Sequence, residues 1–290
     1  MGSVRVVAPG LFTTVQDFGR GGYQRFGVPT AGVFDRFGAS VANWLVGNPT
    51  DAAVLEITFL GPTLVADCPL QMAIAGGRVA ACLDDQPLAE YQSFWWQPGQ
   101  TLTLGGMQAG ARAYLAVAGG WLVPAVMGSS ATYVRAGIGG YRGRQLQSGD
   151  QLTVNPSPTE LPGKRLPRAF WPQLSSSVRL RYVPGPQDDH FPLAELEAFQ
   201  GHSYQVAPQS DRMGVRLTGP AVRPEQPDIV SDAIALGSIQ IPRDGQPIVM
   251  GPDHQTTGGY PKIGTVVSGD MDSAGAAAAW RQRQLAGCLG

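Results

Sequence analysis

Three stretches of this 290-residue chain gather side chains capable of chemistry. The first runs Thr13-Thr14-Val15-Gln16-Asp17-Phe18-Gly19-Arg20-Gly21-Gly22, continues through Gly27-Val28-Pro29-Thr30-Ala31-Gly32 and reaches Asp35. It sets an amide, a carboxylate and a guanidinium among residues that let backbone approach closely. The second is Ser210-Asp211-Arg212-Met213-Gly214-Val215-Arg216-Leu217. Its alternation points Arg212 and Arg216 to one face of a strand, and two guanidiniums on one face suit a carboxylate or a phosphate. The third passes from Gly237-Ser238-Ile239-Gln240-Ile241-Pro242 through Asp244-Gly245, a tight hairpin signal, to Asp253-His254-Gln255-Thr256-Thr257-Gly258-Gly259-Tyr260-Pro261-Lys262. Its hydroxyls, amides and unhindered N–H groups are the ingredients of an oxyanion or phosphate cradle, to which Lys262 adds charge.

Each stretch also has a purely structural reading. Asp17 and Arg20 could pair to brace a turn, Arg212 and Arg216 could be surface arginines answered by Asp211 and Glu225, and His254 could be a satisfied loop histidine. Other chemistries are excluded. Neither Lys164 nor Lys262, the two lysines, stands in a Gly-rich turn ending Gly-Lys-Ser/Thr. Gly137-Ile138-Gly139-Gly140 comes nearest to a dinucleotide turn, but Arg142 takes the place of the third glycine. His190, His202 and His254 show neither i,i+4 pairing nor cysteine neighbours, which argues against a zinc cage. No G-x-S-x-G elbow occurs, and no lysine lies between methionines as in a biotin carrier.

The elements that must position these stretches are short and mostly extended. Glycine (39) and proline (24) are spread along the chain. Between them lie β-prone runs at Val4–Val7, Ala53–Phe59, Leu70–Ile74, Thr101–Leu104, Arg112–Val117, Gln151–Val154, Val178–Val183, Val215–Leu217 and Pro247–Met250. This is a mainly β barrel or sandwich pattern, without the strand–helix alternation of a doubly wound sheet. One helix is expected from an Asp35 cap to about Trp44, burying Phe37, Val41, Ala42 and Leu45 and ending at Gly47. A second opens at Pro192 and stops at Gly201, and a third is expected from about Ser273 to Leu285. Residues 156–177 are proline-rich linker, which divides the chain into a lobe at 1–155 and another at 178–290.

Composition narrows the setting. The 43% hydrophobic content supports a sizeable core, and the formal charge of −1 gives no reason to expect nucleic acid or an anionic membrane as partner. Cys68, Cys82 and Cys288 form no C-x-x-C pair and fit a reducing compartment. The sequence shows no signal peptide and no apolar run of about 18 residues, so a cytoplasmic location is expected.

In this order the three stretches resemble the KipA family, also called allophanate hydrolase subunit 2 or biotin-dependent carboxyltransferase-related, the C subunit of bacterial ATP-dependent 5-oxoprolinase. The connecting phrases Ala42-Asn43-Trp44-Leu45-Val46-Gly47-Asn48, Leu55-Glu56-Ile57-Thr58-Phe59-Leu60-Gly61-Pro62, Tyr114-Leu115-Ala116-Val117-Ala118-Gly119-Gly120 and Val183-Pro184-Gly185-Pro186-Gln187 are similar as well. The resemblance implies two β-rich lobes, at least one a cyclophilin-like barrel. It implies a KipI-like B subunit and an A-type subunit as partners, with ATP and Mg2+ acting at the level of the complex and no biotin carried on this chain. Its catalytic residues would be Arg212, Asp17 and Gln16. Substrate or phosphate would be bound by Arg20, Asp211, Gln240, Asp253, Thr256, Thr257, Gly258, Gly259 and Lys262. Arg212 would hold a carboxylate or phosphate, with Gln16, Asp17 and Arg20 forming the opposing wall.

The family also includes regions of urea carboxylase that transfer a carboxyl group from biotin to urea, and a regulator that binds a KipI-type kinase inhibitor. Both remain alternative expectations. Two departures from the family pattern bear on the site. Gly128-Ser129-Ser130-Ala131-Thr132 stands where many relatives have Gly-Ser-Arg-Ser-Thr, so a serine replaces a guanidinium. The alanine-rich Met271–Gly290 stretch replaces a closing strand, which would leave a sheet edge open for a partner.

Overall fold

The computed structural model describes residues 1–157, 162–276 and 282–287. They fall into two compact units, one of Met1–Arg20 with Ala31–Leu174 and one of Gly21–Thr30 with the residues from Ser175 onward.

The first unit is a nine-stranded antiparallel sheet. Its strands are β1 (Gly2–Ala8), β2 (Phe12–Gln16), β3 (Val54–Thr58), β4 (Thr63–Ala66), β5 (Leu70–Leu83), β6 (Gln86–Pro87), β7 (Ser93–Trp96), β8 (Thr101–Val117) and β9 (Gln151–Val154). The order is β2-β3-β8-β4-β1-β9, with β5 joined to β6, β7 and β8. Alternation in β1 and β9 sends Val4, Val6, Leu152 and Val154 into a core shared with Leu64, Trp96, Leu102 and Leu115. The runs expected at 101–104 and 112–117 are one continuous strand. The intervening glycines do not break it, because β5 pairs along it through register shifts at Gly76/Arg78, Arg78/Val79 and Val79/Ala81. Such bulges bend a long ribbon while pairing continues.

Helix α1 (Arg36–Leu45) starts at the expected cap, with Gly38 N donating to Asp35 Oδ1 at 2.8 Å. It buries Ala39, Val41, Ala42 and Leu45 against Ala73, Ala75, Tyr114 and Ala116. Full burial of a side chain such as Leu45 is worth about 1.5–3 kcal/mol. Phe37, expected on that face, is exposed instead. In the proline-rich segment, Lys164 N donates to Ser93 Oγ at 2.8 Å, and Leu166 N donates to Tyr91 O at 2.9 Å. Residues 162–174 therefore pack on the first unit, whereas 158–161 lie outside the described residues.

The second unit is a closed barrel. Its strands are β10 (Arg179–Pro184), β11 (Ser203–Val206), β12 (Gly214–Thr218), β14 (Ser238–Gln240), β15 (Ile248–Met250), β17 (Lys262–Val266) and β18 (Gln282–Gly287), in the order β10-β17-β14-β15-β12-β11-β18. The short β13 (Asp232–Ala233) and β16 (Thr257–Gly258) form a separate two-stranded ribbon. Helix α2 (Leu193–Gly201) begins one residue after Pro192 and places Phe199 between Tyr182 and Tyr204, with ring centroids 5.6 Å away on either side.

The C-terminal expectation fails. Helix α3 covers Met271–Ala276, and β18, which takes up residues 282–285 of the expected helix, pairs with β10 and β11 to close the barrel, so the anticipated open edge does not exist. Over residues 282–285, the end of the expected helix, helix propensity yields to the pairing available at that edge. Residues 277–281 of the expected helix, and Cys288, lie outside the described residues. No helix among the described residues is long and apolar enough to cross a membrane.

Candidate functional site

The first motif begins within the strand β2, whose Phe12, Thr13, Thr14 and Val15 are β-prone, although this run is not among those expected to be extended. Gln16 is fully buried and donates from Nε2 to Thr14 Oγ1 at 3.0 Å and Thr132 O at 3.1 Å, while its Oε1 is sealed without a partner. The chain then turns sharply. Asp17 Oδ1 accepts from Gly19 N at 2.7 Å, an arrangement in which an aspartate caps its own turn.

The same carboxylate reaches across to a second segment, accepting from Ser129 Oγ at 2.6 Å and Ser130 N at 2.5 Å. Arg20 is buried beside them and donates from Nη2 to Ala131 O. Thr132 closes the arrangement by donating from both its N and its Oγ1 to Val15 O. Gly32 packs so tightly on this turn that a Cβ would lie 2.8 Å from Gly19 N, and its φ of +90° also requires glycine. Gln16, Asp17 and Arg20 are thus brought together with 129–132. Asp17 does brace a turn, with serines as its partners.

Behind this turn lies a network of residues outside the sequence-derived set. Phe34 N donates to Glu56 Oε2 at 2.9 Å, Asp35 N donates to Tyr114 Oη at 2.8 Å, and Tyr114 Oη donates to Glu56 Oε2 at 3.0 Å. The Arg112 guanidinium stacks 4.3 Å over the Phe34 ring and lies 3.7 Å from Glu56. Burial pushes the Tyr114 hydroxyl pKa well up, and the neighbouring Glu56 and Asp35 add to this, so it stays a donor. A lone glutamate within a strand carries no sequence signal of this role.

The second and third motifs meet in the second unit. Arg212 donates from Nε and Nη2 to the two oxygens of Asp253, each at 2.9 Å, and is 6% exposed. Arg216 is exposed, so the two arginines do not share a face. Arg212 precedes β12, and its irregular backbone breaks the alternation. Asp211 turns inward on itself, accepting from Met213 N and Gly214 N, and Glu225 N donates to His190 O.

His254 donates from Nδ1 to Gln255 O at 2.6 Å, and burial lowers its pKa, so the ring is neutral with the proton on Nδ1. The Thr256-Thr257-Gly258-Gly259 stretch is partly strand. Thr257 and Gly258 pair with Ala233 and Asp232, Thr256 O accepts from Ile234 N, and Gly259 O accepts from Ile229 N. Lys262 is buried and donates to Asp232 Oδ2 at 2.6 Å and Ala233 O at 2.8 Å. Gln240 lies opposite it in the β14–β17 pairing.

Gln187 and Asp232, both absent from the sequence-derived set, complete this group. The phrase Pro184-Gly185-Pro186-Gln187 is visible as a motif, but Asp232 carries no signal. Among the described residues, no group of three or more His, Cys, Asp or Glu side chains could hold a metal ion.

The comparisons with known proteins agree with this architecture. The carboxyltransferase domain family, subdomain A and B, matches residues 26–284. The chain is 38% identical over 270 residues to the 5-oxoprolinase C subunit of Escherichia coli (strain K12), covering 92% of this chain and 86% of that protein. It is 33% identical over 278 residues to urea amidolyase of Saccharomyces cerevisiae, covering 89% of this chain but 15% of that protein. The crystal structure of the K. lactis urea amidolyase superimposes with a TM-score of 0.91 at 31% identity, over 98% of this chain and 18% of that one. This chain therefore corresponds to one segment of the much longer urea amidolyases, and to most of the bacterial 5-oxoprolinase component. It belongs to the carboxyltransferase domain family, subdomain A and B.

Proposed function

We propose that this chain is the C subunit of an ATP-dependent 5-oxoprolinase, a cytoplasmic complex that opens 5-oxoproline to glutamate. The reading is carried by its similarity to the Escherichia coli 5-oxoprolinase C subunit over most of both chains. That relative is one component of a multi-chain enzyme, which supports a KipI-like B subunit and an A-type subunit as the proposed partners.

The proposed chemistry starts at the lactam oxygen, which attacks the γ-phosphorus of ATP and releases ADP. Water then adds to the activated ring carbon. Collapse of that adduct breaks the C–N bond and frees the amine, leaving a γ-carboxyl phosphate; a second water then attacks its acyl carbon and expels phosphate, giving glutamate. Mg2+ accompanying ATP would be held largely by phosphate oxygens and water, and no step is assigned to a metal on this chain.

Arg212, fixed by Asp253, is proposed to present its charge to a carboxylate or phosphate, and the Thr256–Gly259 stretch to donate to oxyanions. Gln16, Asp17 and Arg20, with 129–132, are proposed as the second polar group. With 18O in the lactam oxygen of 5-oxoproline, this route delivers the label to inorganic phosphate. Unlabelled phosphate would contradict it.

The urea amidolyase similarity supports a second reading, carboxyl transfer to urea or a related amide. That reading requires biotin carboxylase and biotin carrier on other chains. Carboxylation of urea that depends on this chain and a biotin carrier would favour it.

A further inference from the structure

The ribbon of β13 and β16 covers two buried donors whose needs are unequally met. Gln240 and Lys262 are direct cross-strand partners, at a register shift between Ile239 and Gln240. Opposite residues on paired strands share a face, and a bulge re-aims the side chain beside it. Both are almost fully buried, at 1% and 2% exposure.

Lys262 Nζ has Asp232 Oδ2 at 2.6 Å and Ala233 O at 2.8 Å. Gln187 donates from Nε2 to the same Asp232 oxygen at 3.3 Å and accepts from Lys262 N at 3.2 Å. Gln240 Nε2 is sealed with no hydrogen-bond partner. Gly258 lies against it, where an added Cβ would come within 2.8 Å of Nε2 and 2.7 Å of Ile234 Cδ1. A buried donor left unmatched lowers stability, and a natural fold keeps one where a ligand or water completes it.

Asp232 differs from the donors it serves. Its side chain is 47% exposed, on a strand of two residues. The Lys262 ammonium, then Ala233 N and Gln187, hold its carboxyl below the usual range, so it is present as the anion.

We propose that Lys262, Gln240 and Gln187 form a recognition site for a small carboxylate, and that Asp232 occupies it as an internal stand-in. A buried ammonium requires an anion, and Asp232 supplies one without reaching Gln240. A free carboxylate has two oxygens and can serve both donors. With its side chain half exposed, Asp232 can turn into water when a free carboxylate replaces it at Lys262, and a ribbon of two residue pairs opens readily. A purely structural Lys262–Asp232 pair accounts for Lys262 and leaves Gln240 unexplained. The proposal rests on the 5-oxoprolinase reading only for the identity of the carboxylate.

The test is calorimetric titration of the full chain with 5-oxoproline, with pyrrolidin-2-one (the same lactam without a carboxylate) and with acetate. Asp232→Asn is expected to tighten 5-oxoproline binding by at least about tenfold and to leave pyrrolidin-2-one unchanged. Gln240→Met is expected to weaken 5-oxoproline by about tenfold without lowering the melting temperature, which separates recognition from structure. Acetate tightened by Asp232→Asn, with no 5-oxoproline binding, would uphold the carboxylate site and remove the 5-oxoprolinase reading. Carboxylate affinity unchanged in Gln240→Met overturns the proposal, even if Asp232→Asn fails to fold. Absence of carboxylate binding to the parent chain and both variants overturns it as well.

Discussion

Both oxygens of Asp253 accept from Arg212, at 2.9 Å from Nε and 2.9 Å from Nη2, and the backbone repeats the link as Asp253 N donates to Arg212 O at 3.0 Å. With the side chains 6% and 9% exposed, this is a buried two-point ion pair joining the second motif to the third. Removing one partner strands a charge. Arg212→Ala and Asp253→Ala are each expected to cost about 3–5 kcal/mol in urea unfolding of the chain. Replacing both at once, as Arg212→Met with Asp253→Leu, is expected to recover most of that loss. Additive losses would show that the two side chains act separately.

Asp17 is the corresponding fastener in the first unit. Asp17→Ala leaves Gly19 N, Ser129 Oγ and Ser130 N without their acceptor, and is expected to cost about 1–3 kcal/mol. Ser129→Ala removes one of those bonds and is expected to cost about 0.5–1.5 kcal/mol. An Asp17→Ala chain as stable as the parent would sever the proposed link between Asp17 and 129–132.

Tyr114→Phe should act through the N-terminus of α1. The hydroxyl accepts from Asp35 N and donates to Glu56 Oε2, so its loss takes an acceptor from Asp35 N and one donor from Glu56, which keeps Phe34 N. A cost of about 1–3 kcal/mol is expected, with hydrogen exchange accelerated first at Asp35 and the opening turn of the helix. Uniform acceleration across the unit would contradict the local role.

His254 gives the second unit a pH dependence. Burial holds its pKa below the ordinary 6.5, against smaller opposing contributions from Gln255 O and Asp253. As pH falls below about 6.5 the unfolded chain takes up this proton before the folded one. The histidine's contribution is therefore complete above that value and declines toward the lower folded pKa. Stability measured between pH 7 and pH 5 should fall less steeply in His254→Gln than in the parent. Equal slopes would mean that the ring titrates alike in both states.

Local chemistry decides those parts of the fold that are legible in the sequence. Asp35 announces α1, Pro192 and Gly201 bracket α2, and β9 coincides with its expected run at Gln151–Val154. Non-local pairing decides the rest. Glycines at 105–110 that read as a break lie inside β8, because β5 runs alongside and absorbs the irregularity in bulges. The alanine-rich tail favours helix by propensity, yet Gln282–Gly287 joins the barrel as β18.

In the site, Arg212 is legible but its partner is not. Asp253 lies 41 residues away and meets it only through the barrel. The clasp between Asp17 and Ser129 spans 112 residues. Asp232 becomes visible only once β13 is paired with β16.

The most direct test of the functional account is ATP-dependent glutamate formation from 5-oxoproline by the reconstituted complex, with each subunit left out in turn. The account predicts turnover only when this chain is present alongside its KipI-like and A-type partners. A fully assembled complex that turns over equally well without this chain, or not at all with it, would contradict the account.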